Sequence, residues 1–150
     1  MKVVNISQVP KFESGKARFH GAYHFHQKSD GPLRKQPGIT WTGSVISQYV
    51  VNSNLGSDDI GCKSDSIHLH VLNFAKGART KFHTHTQEQM IIAYTGIGIQ
   101  ATEEGISVVK AGDVTYFPAG EKHWHGASNE SDFTQLSIFS GDRETHWVED

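Results

Sequence analysis

The chain has 150 residues, one cysteine, ten histidines and a formal net charge of −2 at pH 7. That length suits one domain able to bury roughly 70% of its unfolded surface, and the near-neutral charge speaks against nucleic acid or an anionic membrane as partner. Cys62 is alone, so an internal disulfide is excluded, no apolar run approaches the ~20 residues that span a bilayer, and the N-terminus MKVVNISQVPKF lacks the apolar core of a signal peptide, so the expectation is a cytoplasmic protein.

Residues 1–39 hold three of the four prolines and read as an N-terminal arm with an edge strand at 2–6. Residues 40–150 read as one domain. Within it, 40–51, 66–74, 89–100, 106–109, 114–117 and 133–139 are short, rich in β-branched and aromatic residues, and patterned with a period of two. Turn signals separate them at 52–66, 75–77, 103–105, 110–113, 118–120 and 128–132. No stretch of a dozen residues has the spacing of an amphipathic helix. An all-β sandwich or barrel is predicted.

The histidines carry the chemistry. His83 and His85 stand one residue apart, as do His123 and His125, so in extended strands each pair shares a face. Gln89 stays in phase with the first pair if the strand continues. Ten histidines against one cysteine imply imidazole and oxygen ligands, which suit an open, catalytic type of metal site better than a structural thiolate cage. His24 and His26 form a third such pair without flanking glycines, and His20 and His146 read as surface residues. His68 and His70 alternate with Ile67, Leu69 and Val71, so only one of the two sets faces the interior. Phe117, Phe133 and Phe139 are assigned to the core.

Spacing then links the two pairs. Gly77, five residues, His83, one residue, His85, three residues, Gln89, six residues, Gly96 resembles the first cupin motif. Gly112, five residues, Pro118, one residue, Gly120, two residues, His123 resembles the second. The resemblance implies a single-domain cupin, a double-stranded β-helix or jelly-roll-like barrel of residues 40–150 with a metal in its mouth. Two positions depart from the pattern. Gln89 stands where the first motif usually has glutamate (Glu88 is one position early), and Ala127 stands where the second ends in asparagine.

The segments GARTKFHTHTQEQ and GEKHWHGA, with WTG at residues 41–43, resemble a narrower group of small bacterial cupins. These are associated with carboxymuconolactone decarboxylases and include manganese-dependent hydroxynitrile lyases. That resemblance implies one divalent transition metal per chain on His83, His85, Gln89 and His123. Manganese or iron is the first choice, with zinc, nickel or cobalt as alternatives. It implies His125 as the catalytic group beside the open coordination site, and His70, Leu72, Phe74, Thr80 and Gln135 as substrate pocket. The lyases carry a further pocket histidine where this chain has Gln135. A homodimer acting on a small-molecule substrate is the family analogy.

Gln89 bears on reaction type. An amide in place of a carboxylate leaves a divalent ion its full charge, which favours Lewis-acid work over support of a higher oxidation state. With His125 as proton carrier, the expectation is a lyase or isomerase acting on a small oxygenated molecule. The alternatives are a uronate-processing sugar cupin, an iron-dependent dioxygenase and a non-catalytic metal or small-ligand-binding module.

Overall fold

The computed structural model describes residues 1–13 and 41–148. His20, His24 and His26, and most of the expected arm, lie outside those residues. In chain order the strands are β1 (Phe12–Glu13), β2 (Trp41–Thr42), β3 (Val45–Asn52), β4 (Cys62–Lys63), β5 (Ile67–Phe74), β6 (Arg79–Thr80) and β7 (His83–His85). They continue with β8 (Gln89–Thr102), β9 (Ile106–Lys110), β10 (Val114–Phe117), β11 (His123–Ala127), β12 (Phe133–Ser140) and β13 (Thr145–Trp147).

Strand β8, at 14 residues, joins two halves of one curled sheet. Its first part lies between β10 and β12, in the order β1-β3-β5-β12-β8-β10, with β4 parallel to β3. Its second part lies between β9 and β11, and β11 in turn pairs β6 and β7, with β2 on β6 and β13 on β7. The bend falls at Gly96, whose φ is +78°. There a Cβ would lie 1.9 Å from the Asp132 carbonyl oxygen, so both the dihedral and the space require glycine.

Period-two patterning sorts each strand into two faces. On β5, His68, His70, Leu72 and Phe74 turn inward, so the even-numbered set is the interior one. With Val45, Ala78, Ala93, Val109, Ala127 and Phe133, residues Leu72 and Phe74 form the apolar core at the closed end. The odd face of the same half-sheet is covered by the N-terminal segment. Val9, with Val4 and Ile6, packs on Val50, Val71, Leu69 and Leu136. The Gln48 side-chain amide fixes this cover by donating to the carbonyls of Ile6 and Val9, at 2.8 and 2.9 Å.

The expected strand at 2–6 does not form. Asn5 caps a 3-10 turn, Ile6–Gln8, by accepting from Ser7 N, and Phe12–Glu13 supplies the edge pairing instead. The apolar residues gain more by lying flat on the sheet than by extending it. The predicted stretch 40–51 is divided by the turn at Gly43 and Ser44, which sends β2 to the other half of the sheet. The remaining predicted strands appear within a few residues of their expected limits, and the all-β single-domain barrel is the observed architecture. Among the described residues no helix is long and apolar enough to cross a membrane.

Replacing Gly96 by alanine is expected to destabilise the fold by about 2 kcal/mol or more, since strain and a backbone clash coincide there. A urea-unfolding midpoint equal to that of the unsubstituted protein would contradict this account of the bend.

Candidate metal centre

Strands β7 and β11 are antiparallel neighbours in which His83 and His123 are direct partners. The shared parity of each pair therefore points four imidazoles to one place. His83, His85, His123 and His125 are all buried, whereas Thr84 and Trp124 between them are partly exposed. Neighbouring ring centroids are 4.4 Å (His83 to His123), 5.0 Å (His83 to His85), 5.3 Å (His85 to His123 and His83 to His125) and 6.0 Å (His123 to His125) apart. His83, His123 and His125 offer ring nitrogens that all lie within 4.8 Å of one another. His85 joins them through Gln89, the first residue of β8, whose Oε1 is 3.1 Å from His85 Nε2 and 2.9 Å from His123 Nε2.

Hydrogen bonds on the far side of the rings settle which nitrogens carry protons. His83 Nδ1 lies 2.7 Å from the Lys81 carbonyl, and His123 Nδ1 lies 2.8 Å from the Glu121 carbonyl. A carbonyl oxygen only accepts, so both Nδ1 atoms are protonated. Burial lowers the pKa of His123, and burial, aided by the nearby His123, lowers His83 to about 3 against the pull of the Lys81 carbonyl. Both rings are thus neutral at pH 7, with a lone pair on each Nε2. His85 Nδ1 lies 3.0 Å from Thr145 Oγ1, a hydroxyl that accepts from Arg143 Nη1 at 2.6 Å and can either donate to His85 or accept from it. Burial first, then the Arg143 charge, lowers His85 to about 2.

A bare lone pair on His123 Nε2 therefore faces the oxygen of Gln89 at 2.9 Å with no proton between them. Such a set of acceptors fits a cation, and an outer N–H held by backbone or hydroxyl oxygen is the usual setting of a ligating imidazole. Turned over, the Gln89 amide would satisfy the two nitrogens with its NH₂ group. A bound ion needs the oxygen inward, as it is placed. The three-histidine cluster of His83, His123 and His125 can hold a metal ion.

His125 differs from the other three. Gln135 is fully buried, and its amide nitrogen is 3.1 Å from His125 Nδ1 and 3.0 Å from Ser137 Oγ. In this arrangement the amide donates to Nδ1, so the proton of neutral His125 sits on Nε2. Burial, followed by the neighbouring His83, holds this ring well below the ordinary imidazole range. Thr80 accepts from the His125 backbone N–H at 3.1 Å and so holds β11 in place. Phe74 meets the His125 ring edge-on at 5.8 Å. Leu72 packs in the core beneath. His70 faces inward nearer the mouth and accepts from the Asn52 side chain at 3.1 Å, and its pKa is pushed well down by burial.

The structure adds residues that sequence reasoning missed. Arg143, Thr145 and Trp147 line the centre through β13, which pairs with β7. Trp147 lies over His83 at 4.8 Å. Their alternation in RETHW has no apolar run to mark a strand. Phe117 and Phe139, assigned simply to the core, also wall the site: Phe117 stacks flat on His123 at 4.0 Å, and Phe139 meets His85 at 5.5 Å. His146, expected at the surface, is partly exposed and lies 3.7 Å from Glu144.

Because His83 and His85 are held far below 6.5 in the fold, the unfolded chain takes up their protons first as pH falls. Metal-free protein is expected to lose stability progressively below about pH 6.5, towards pH 3, and to be pH-insensitive on this account above it. Urea unfolding at a series of pH values checks this, and a flat profile between pH 7 and 5 would contradict it.

Comparison with known proteins agrees with this picture. Residues 70–139 match the family model described as cupin domain. The (R)-mandelonitrile lyase of Granulicella tundricola is 43% identical over 68 residues, 45% of this chain and 52% of the lyase, so the chain spans about half the length of that relative. A cupin-like protein of Thermotoga maritima superposes with a TM-score of 0.64 at 25% identity, over 73% of this chain and 80% of its own. The polyketide cyclase RemF of Streptomyces resistomycificus shares the fold, with a TM-score of 0.69 at 15% identity over 99% and 85%. A barrel with both motif histidine pairs converging at its mouth, matched over residues 70–139 by that family model, is similar to the small cupins.

Proposed function

We propose that the chain is a metal-dependent lyase or isomerase acting on a small oxygenated molecule, with hydroxynitrile lyase as the nearest known type of reaction. The observation that carries the metal part is the convergence of the buried His83, His85 and His123 rings beside Gln89, whose oxygen faces the bare Nε2 of His123. Partial similarity to a mandelonitrile lyase supports the reaction class. Gln89, His83, His85 and His123 would hold the ion, manganese or iron first, and a divalent ion there would supply Lewis-acid polarisation of a substrate oxygen.

The remaining work falls to the chain. His125, with its proton on Nε2, is the imidazole least suited to ligation and best suited to hold or move a proton. Reversible C–C cleavage of a cyanohydrin needs one proton moved from the hydroxyl to the departing cyanide, and His125 is the titratable group of the cluster left for it. Gln135 orients that ring. Phe74, Phe117 and Phe139 exclude water and keep the local dielectric low, which strengthens each polar contact inside.

Elemental analysis of His83→Ala and His123→Ala is expected to show loss of stoichiometric metal in a protein that keeps its β-sheet circular dichroism. Retention of metal by both variants would overturn the site. His125→Ala is expected to keep the metal and to lose about 10²–10⁴-fold in turnover of mandelonitrile, read as released benzaldehyde.

Gln89→Glu is expected to bind metal more tightly and to turn over more slowly, because the carboxylate partly neutralises the ion that polarises the substrate. Unchanged metal affinity would remove Gln89 from the ligand set.

A further inference from the structure

Beyond the imidazole cluster, towards the mouth, lies a cation that the proposed reaction does not use. Arg143 follows β12 and lies with its guanidinium carbon 3.8 Å from the centre of the Phe139 ring. A guanidinium has five N–H donors. Its Nη1 donates to Thr145, and its Nε is buried with no hydrogen-bond partner. No described carboxylate pairs with it. Leaving a buried charge and a buried donor uncompensated costs stability. Burial lowers Arg143 to about 10, against the opposing influence of Tyr49, so it is still a cation at neutral pH.

The carboxylates that flank Arg143 in the chain are turned elsewhere, Asp142 to Ser140 and Glu144 towards His146. His70 meets the same Phe139 ring at 5.4 Å, and its Nε2 is occupied by Asn52, which places its proton on Nδ1 as a second donor. His68 stacks on His70 at 5.9 Å and accepts from Ser53 N. The Tyr49 ring stands edge-on to His70 at 4.6 Å. His85 of the metal centre meets Phe139 at 5.5 Å, so one aromatic ring separates the guanidinium from the centre. Charge, donors and an apolar floor are present together.

We propose that Arg143 and His70, both against Phe139, form a subsite for a carboxylate, and that among small oxygenated molecules the centre therefore prefers a short carboxylic acid bearing a hydroxyl or oxo group to a neutral cyanohydrin. This refines the substrate class of the proposed metal centre and rests on reading the mouth as its entrance. The carboxylate engages the planar fork of Arg143 and leaves the oxygenated carbon directed past Phe139 towards His85 and His123.

The test compares mandelate with its neutral amide, mandelamide, by calorimetric titration of the full chain, both as purified and after chelator treatment. The chelated sample keeps the result independent of metal loading, so failure of the metal reading and failure of the subsite are told apart. Mandelate is expected to bind at least tenfold more tightly than mandelamide in both samples, Arg143→Gln to abolish that preference, and Arg143→Lys to retain part of it. Equal affinity for acid and amide, a preference unchanged in Arg143→Gln, or no binding of mandelate would overturn the subsite. Should Arg143→Gln not fold, the Nε–H resonance of Arg143, identified by its loss in Arg143→Lys, decides the matter: mandelate must shift it, and an unmoved resonance overturns the proposal.

Discussion

The Nδ1–H groups of His83 and His123 each reach the carbonyl two residues back, just before their own strands begin, and these two bonds fix the state of both rings at the mouth of the barrel. They choose the tautomer, hold the ring plane, and leave a bare nitrogen lone pair on the inner side. Burial then removes the other remedy, protonation, by making a charged imidazole too costly there. What remains is a pocket of acceptors that only a cation, or an inverted Gln89 amide, can satisfy. The aromatic wall of Phe117, Phe139 and Trp147 sustains this condition by keeping water out.

Much of this was legible in the sequence, for a physical reason. A strand has a side-chain period of two, so two histidines one residue apart must share a face, whatever the fold. Glycines and a proline at turn positions then fixed how far apart the two pairs lie along the chain. Parity did not carry Gln89, since the strand ends at His85 and a new one begins at Gln89; the motif resemblance singled it out. The three residues behind the cluster were not legible. Thr145 reaches His85 only because β13 pairs with β7, and nothing in RETHW marks a two-residue-period strand. Arg143 gave no signal because a charged residue after a strand reads as solvated until its burial is seen. The interior face of β5 was left undecided by alternation alone, and the cover of Val4, Ile6 and Val9 over the odd positions decided it.

The interior divides along its length. At the closed end Phe74, Phe133, Val45 and Leu72 pack as an ordinary apolar core. Towards the mouth the same inward positions carry Gln135, Ser137, His70 and His68, all buried polar groups. Each rung of the ladder thus trades stability for chemistry as it nears the opening. Gln135 sits at the boundary, buried among apolar neighbours while its amide serves His125 and Ser137. The fold tolerates this because the lower rungs and the outer cover hold the two halves of the sheet together.

Strand order has a consequence in time. His83 takes β11 on one side and β13 on the other, while Gln89 begins the strand that both halves of the sheet share. As the chain leaves the ribosome, residues 83–89 emerge well before the strands that must close around them. A nascent chain therefore has no complete centre until residues 145–147 are available. Unlike a small zinc domain, in which the ion gathers the ligands, an ion at this cluster would meet side chains already placed by the completed barrel. Its choice would then depend on the shape of a finished cavity and on the pool of ions present after synthesis.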